Sequence, residues 1–225
     1  MEGHSQIFAL KLSGDISDAE FAALFYQVTP ARQARVKKFS KKADALRSLT
    51  AELLLRRVAF PVAGLQVDQP VFSYNEYGKP RLADKPDVHF NLSHAGHMVV
   101  CIVDSSPVGI DVEEIQPVEA AVAKTCCTPD EFKRFTAGQK ADRLRYFYDL
   151  WTIKESYVKA IGKGLAFPLT SFTVRKNQTG EITVSPGGGW SFHQYDIEAG
   201  YVLSACAAHD NFPAAVRWAD ISDLL

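Results

Sequence analysis

Two parts of this chain, 103 residues apart, carry the same plan. Val99-Val100-Cys101-Ile102-Val103 and Val202-Leu203-Ser204-Ala205-Cys206 are short apolar strands at that offset. Helical patterns start at about Ala43 and Tyr146, again 103 residues apart. The first runs to Val58 with Leu46, Leu49 and Leu53 on one face. The second runs to Ile161 with Leu150, Ile153, Tyr157 and Ile161 on one face. Further strands are expected over 7–12, 71–74, 88–92 and 108–112 in the first part, and over 172–175, 182–184 and 191–195 in the second. Sequence identity between the halves is poor, so only the pattern repeats. The reading is an α+β pseudo-dimer of two similar subdomains, 1–106 and 107–225, joined near Ser105-Ser106-Pro107, with a ligand cleft between them.

The chain is long enough for such a core. It has 225 residues, 47% hydrophobic, with 14 Phe, 8 Tyr and 3 Trp, which excludes disorder. No apolar run approaches the roughly 20 residues of a membrane span, and Met1-Glu2-Gly3-His4-Ser5 lacks the plan of an export signal. Cys101, Cys126, Cys127 and Cys206 form no Cys-x-x-Cys and are read as reduced thiols. These features predict a soluble cytoplasmic protein without a membrane partner.

The formal net charge of −1 conceals an asymmetry. Between Arg32 and Arg57 stand nine basic residues and two acidic ones, a window of +7, which leaves −8 on the rest. Such a window suits a phosphorylated small ligand or an acidic partner, or else a solvated helix face. A nucleic-acid surface would interleave aromatic residues for stacking, and only Phe39 lies among these cations, so no nucleic-acid partner is expected.

Chemistry concentrates in three motifs. In Gly109-Ile110-Asp111-Val112-Glu113-Glu114, strand alternation puts Asp111 and Glu113 on one face and Ile110 and Val112 in the core. Two such carboxylates repel unless a cation lies between them, and oxygen ligands suit Mg²⁺ or Mn²⁺. In Trp151-Thr152-Ile153-Lys154-Glu155-Ser156-Tyr157-Val158-Lys159, the residues Trp151, Glu155 and Lys159 share a helical stripe. Glu155 is either one half of a surface ion pair with Lys159 or a third carboxylate completing a metal seat. In Asn91-Leu92-Ser93-His94-Ala95-Gly96-His97, His94 is placed to donate to a phosphate. P-loop, dinucleotide-binding and H-E-x-x-H motifs are absent.

In this order, Tyr77-Gly78-Lys79-Pro80, Phe90-Asn91-Leu92-Ser93-His94, the Gly109 motif and the Trp151 motif resemble the signatures of the 4′-phosphopantetheinyl transferases, in the duplicated single-chain type. The resemblance implies that fold, with the active site between the halves. It implies Mg²⁺-dependent transfer of the phosphopantetheine arm of coenzyme A to a serine of apo peptidyl or acyl carrier proteins, by a monomer. It further implies that Asp111, Glu113 and Glu155 hold the metal, that Lys154 and Lys159 flank the pyrophosphate and that His94 donates to it. Arg32, Arg35, Arg47, Lys79 and Ser93 match positions at the adenosine 3′-phosphate or nearby, and Glu131 an acid that helps activate the incoming serine. A phosphate-rich-ligand binding module and a different Mg²⁺-dependent phosphoryl transferase are the alternatives.

Overall fold

In a computed structural model describing residues 4–12, 14, 16–66, 70–177 and 179–225, helices and sheets alternate twice along the chain. Strand β1 (Gln6–Lys11) leads to helix α1 (Asp18–Phe25), which Ser17 and Glu20 start with the capping box their spacing predicts. Helix α2 (Pro30–Val36) opens on Thr29 as N-cap with proline in its first turn. Helix α3 (Lys42–Leu53) passes into a π-helical stretch, Leu54–Ala59, and a last α turn, α4 (Phe60–Val62). The single long helix expected to Val58 thus widens before Pro61, which lacks an N–H and crowds the turn before it. Strands β2 (Phe72–Tyr74) and β3 (Pro80–Leu82) form one hairpin, and β4 (His89–Ala95) with β5 (Met98–Asp104) another.

The chain then enters β6 (Val108–Glu114), α5 (Ala120–Cys126), α6 (Pro129–Ala137) and α7 (Lys140–Ile161). Helix α7 starts six residues before the expected Tyr146, because its polar first turns offer no apolar period to read. It ends at Gly162, whose φ of +76° closes the helix in the left-handed region. Strands β7 (Thr173–Lys176) and β8 (Ile182–Ser185) pair, followed by β9 (Ser191–Tyr195), β10 (Tyr201–Ala207) and β11 (Arg217–Ala219).

The repeat read in the sequence is a repeat of register. The first sheet runs β11-β1-β5-β4 and the second β6-β10-β9. Across the first, Phe8, Cys101 and Leu92 lie side by side; across the second, Asp111, Ser204 and Gln194 do. The corresponding positions differ by 103, 103 and 102 residues. Thus Asp111 occupies in the second half the place that a core phenylalanine, Phe8, fills in the first.

Three apolar layers hold the halves. Phe8, Val99, Cys101 and Val103 pack under α3 with Leu49, Leu53 and Phe60. Ile7, Ala9, Val100 and Ile102 meet Ile110, Val112, Leu203 and Ala205 between the sheets. Leu150, Ile153, Tyr157 and Val158 of α7 pack with Phe172 and Cys206. Alternation along β6 therefore commits Ile110 and Val112 to the inter-sheet core and turns Asp111 toward α7.

Ser105-Ser106-Pro107 connects β5 to β6. The division into 1–106 and 107–225 does not hold to the chain's end, however. β11 pairs in parallel with β1, and Leu224 is buried in the first core, so the last residues return to the first half. Among the described residues no helix is long and apolar enough to cross a membrane.

Candidate active site

Strand β6 and helix α7 meet with almost no space between their backbones. A Cβ on Gly109 would collide with the Ser156 carbonyl oxygen and the Ala160 nitrogen. That approach brings Asp111 of β6 against Lys159 of α7, with Lys159 Nζ 2.5 Å from Asp111 Oδ1. Lys159 Nζ also donates to Ser93 Oγ at 3.1 Å and to the Ile110 carbonyl at 3.2 Å. Ser93 Oγ donates to Asp111 Oδ1 at 2.9 Å.

These residues open onto a cavity of about 470 Å³ between the halves. Ser93 and His94 line it from β4, Asp111 and Glu113 from β6, and Trp151, Glu155 and Lys159 from α7. Arg32 and Ser48 line it from the first helical layer. The expected trio of carboxylates, the lysine, the serine, the histidine and one arginine are thus brought to one place.

The electrostatics are those of crowded carboxylates. Burial first, and then the Asp111 charge, push the Glu113 carboxyl up to about 7. The Trp151 indole N–H, 3.2 Å from Glu113 Oε1, works the other way. Burial and Asp111 raise Glu155 as well, and burial raises Asp111 despite the Lys159 ammonium beside it. Burial and the nearby Arg47 cation hold His94 below the usual imidazole range, so its ring is neutral near pH 7.

Whether a hard cation fits here is decided by the oxygens. Asp111 Oδ2 and Glu155 Oε1 are buried without a hydrogen-bond partner. Such acceptors are costly, and a divalent ion would relieve them together with the mutual repulsion. The donor set is all oxygen, which suits Mg²⁺ or Mn²⁺ and not zinc. Among the described residues no three acidic, imidazole or thiol side chains converge into a ready-made metal cage. In the chemistry of their donors the residues fit such an ion.

The basic window is divided among several tasks. Arg32 pairs with Glu52 at 2.7 Å and donates to the Ser48 carbonyl at 2.6 Å, which holds it at the cavity wall. Arg35 faces an adjoining groove of about 430 Å³ with Tyr74, whose hydroxyl accepts from it at 3.2 Å. Arg47 is tied to Asp44 and to the Gly96 carbonyl and flanks the cavity through its field on His94.

Three expected roles, two of ligands and one of an activating acid, are corrected by the geometry. Lys154 is fully buried, and its ammonium donates to the carbonyls of Cys126, Leu169 and Phe172 and to Glu131 at 2.7 Å. It pins α5 and the segment after α7 onto the helix, and no donor is left for a pyrophosphate. Glu131, 2% exposed, accepts from the Thr128 and Val174 N–H groups and from Lys154. It caps α6 and is a core residue, not an acid beside the metal seat. Lys79 is saturated by the carbonyls of Val108, Lys159 and Ala160, which makes it a clasp on the end of α7. Burial and Arg81 lower its ammonium to about 8. All three errors share a cause. A helix stripe or a motif match fixes a residue's neighbourhood, whereas the direction of a long side chain is decided by what packs around it.

Two contributors carried no assigned role in the sequence reading. Ser48 anchors Arg32 through its carbonyl and its hydroxyl, the latter at 2.8 Å. Its only sequence cue is a small polar residue next to Arg47, one helical turn from Asp44 and from Glu52. Trp151 orients Glu113, and its place on the stripe with Glu155 and Lys159 is the corresponding cue.

The family model of the 4′-phosphopantetheinyl transferase superfamily matches residues 107–215, and that of the 4′-phosphopantetheinyl transferase N-terminal region matches residues 15–106. The chain is 35% identical over 223 residues to the 4′-phosphopantetheinyl transferase Sfp of Bacillus subtilis, covering 98% of this chain and 100% of that protein. It is 34% identical to the 4′-phosphopantetheinyl transferase gsp of Aneurinibacillus migulanus, covering 90% and 85%. A solved holo-[acyl-carrier-protein] synthase from Neisseria meningitidis aligns with 46% of this chain and 98% of its own, at 20% identity and a TM-score of 0.40. The chain belongs to the 4′-phosphopantetheinyl transferase family.

Proposed function

We propose that this protein transfers the 4′-phosphopantetheine arm of coenzyme A to a serine hydroxyl of apo carrier proteins, leaving 3′,5′-adenosine bisphosphate. The observation that carries this reading is the joining, in one cavity, of Asp111, Glu113 and Glu155 with Lys159, His94 and Arg32. The serine oxygen bonds to the phosphorus that bears pantetheine, and the pyrophosphate bridge breaks with its oxygen leaving on the adenosine bisphosphate. The serine proton passes to Glu155, directly or through a bound water, from its place on the cavity wall. Lys159 neutralises charge that builds on phosphate oxygens, and Arg32 with Arg35 meets the adenosine 3′-phosphate from the helical layer. Asp111, Glu113 and Glu155 would hold Mg²⁺, which when bound polarises the pyrophosphate and balances its charge. Peptidyl and acyl carriers of biosynthetic synthases are the proposed acceptors, and a monomer acting in the cytoplasm is the proposed state.

Intact-mass spectrometry of apo-carriers incubated with the protein, Mg²⁺ and coenzyme A tests the reading. The expected result is a phosphopantetheine mass gain that disappears with chelator. No gain on any of a panel of peptidyl and acyl carriers overturns it.

A further inference from the structure

Strand β6 carries two of the three carboxylates, yet it is paired on one side only. Its other edge faces β4, and among the described residues no strand pairing joins the two. The backbone groups of Val108, Ile110 and Val112 point to that edge and must find partners elsewhere. Side chains supply all of those the structure records. Lys79 Nζ donates to the Val108 carbonyl at 3.0 Å, and Lys159 Nζ to the Ile110 carbonyl at 3.2 Å. Ser93 Oγ accepts from the Val112 N–H at 3.4 Å, and Asn91 Oδ1 from the Ile110 N–H at 2.9 Å.

Asn91 differs from the other three. It is uncharged, 9% exposed, and does not line the cavity. It sits two residues before Ser93 on β4, so the two side chains leave the strand on the same face. Its acceptor holds the N–H of the residue immediately before Asp111. We propose that Asn91 is a positioning residue for the transfer reaction. Through the Ile110 N–H it fixes the offset between β4, which presents Ser93 and His94, and β6, which presents Asp111 and Glu113. This rests on the reading of the cavity as the transfer site, since an offset between these strands matters only if both act on one ligand. A leucine of similar size would fill the same space and leave the Ile110 N–H without a partner, so β6 would shift or fray at Asp111.

The test compares full-length wild type, Asn91→Leu and Asn91→Asp, the last keeping an oxygen where Asn91 Oδ1 lies. Amide hydrogen exchange at Ile110 is read in metal-free protein, Mn²⁺ affinity from the resonance of the free ion, and kcat and KM for coenzyme A in turnover. Asn91→Leu is expected to speed Ile110 exchange, and to weaken Mn²⁺ binding and lower kcat by about tenfold each, the scale of losing a partner that orients a metal ligand. kcat should fall by more than KM for coenzyme A rises, because Asn91 does not line the cavity. Asn91→Asp should restore Ile110 protection and bind Mn²⁺ at least as tightly as wild type. Unchanged Ile110 exchange and Mn²⁺ affinity in Asn91→Leu would overturn the proposal, as would an Asn91→Asp variant as defective as the leucine one. If Asn91→Leu does not fold, Asn91→Ser, too short to reach Ile110, takes its place. A wild-type protein that binds no Mn²⁺ refutes the metal reading, and Ile110 exchange with the split between kcat and KM then decides the role of Asn91 separately.

Discussion

Lys159 and Asp111 form an ion pair of 2.5 Å in which the lysine side chain is 24% exposed and the aspartate 4%. The pair spans the seam between α7 and β6, and the second aspartate oxygen is left without a partner.

Removing the lysine should expose this arrangement. Lys159→Met is expected to destabilise metal-free protein by about 3 kcal/mol, because a buried carboxylate loses its counter-charge. Denaturant titration measures the loss. Saturating Mg²⁺ should return part of the stability but not the transfer rate, since the cation facing the phosphates stays absent. Unaltered stability without metal would show that Asp111 does not depend on Lys159.

Glu155→Gln keeps the shape of the side chain and removes the base. Transfer to a carrier is expected to fall by about 10²–10⁴-fold, the usual worth of a positioned general base. Calorimetric binding of coenzyme A should remain measurable. Turnover near the wild-type rate would remove Glu155 from the proton transfer.

The contribution of Glu113 to stability without metal should fall as pH rises from about 4.5 to about 7. Glu113 is raised from 4.5 to about 7 on folding, so the folded protein holds a proton in that window that the unfolded chain has released. Asp111 and Glu155, also raised, act in the same direction. His94, His89 and His193, lowered by burial, work in the opposite sense below 6.5, and the lowered Lys79 does so between about 8 and 10.5. The change in Tm of chelator-treated protein from pH 5 to 7.5 should therefore be more unfavourable in wild type than in Glu113→Gln, which lacks the titrating carboxyl. Mg²⁺ should raise Tm more at pH 7.5, where the seat is ionised.

Lys154 should behave as a structural residue. Lys154→Met is expected to cost roughly 3–5 kcal/mol, because the buried Glu131 carboxyl loses its partner and three carbonyls lose their donor. The double variant Lys154→Met with Glu131→Gln should lose much less than the sum of the single changes. Below its melting temperature the double variant should keep a kcat for transfer within about threefold of wild type, since neither group touches the ligand. A loss of turnover at full stability would return Lys154 to the pyrophosphate.

The sequence by itself determined most of the strands, the two long helices, their twofold use and the residue types of the site. Apolar alternation depends on neighbours two residues away, and capping on neighbours three away. Ser17 with Glu20, Thr29 before Pro30, and Ile110 with Val112 all declare their roles within one turn or one strand. The facing of Asp111 and Glu113 away from the inter-sheet core follows from the same local rule, and so does the stripe of Trp151, Glu155 and Lys159. What only the tertiary structure decided is the destination of long or polar side chains whose partners lie tens of residues away. Lys154, one position before Glu155, turns into the second core because Glu131 and three carbonyls from other segments wait there. Lys79 is spent on the end of α7, 80 residues on, and Asn91 on the open edge of β6. The return of β11 to the first sheet is of the same kind. These outcomes depend on unsatisfied backbone and buried charge finding partners across the fold, and a sequence read locally carries no record of which partner is in reach.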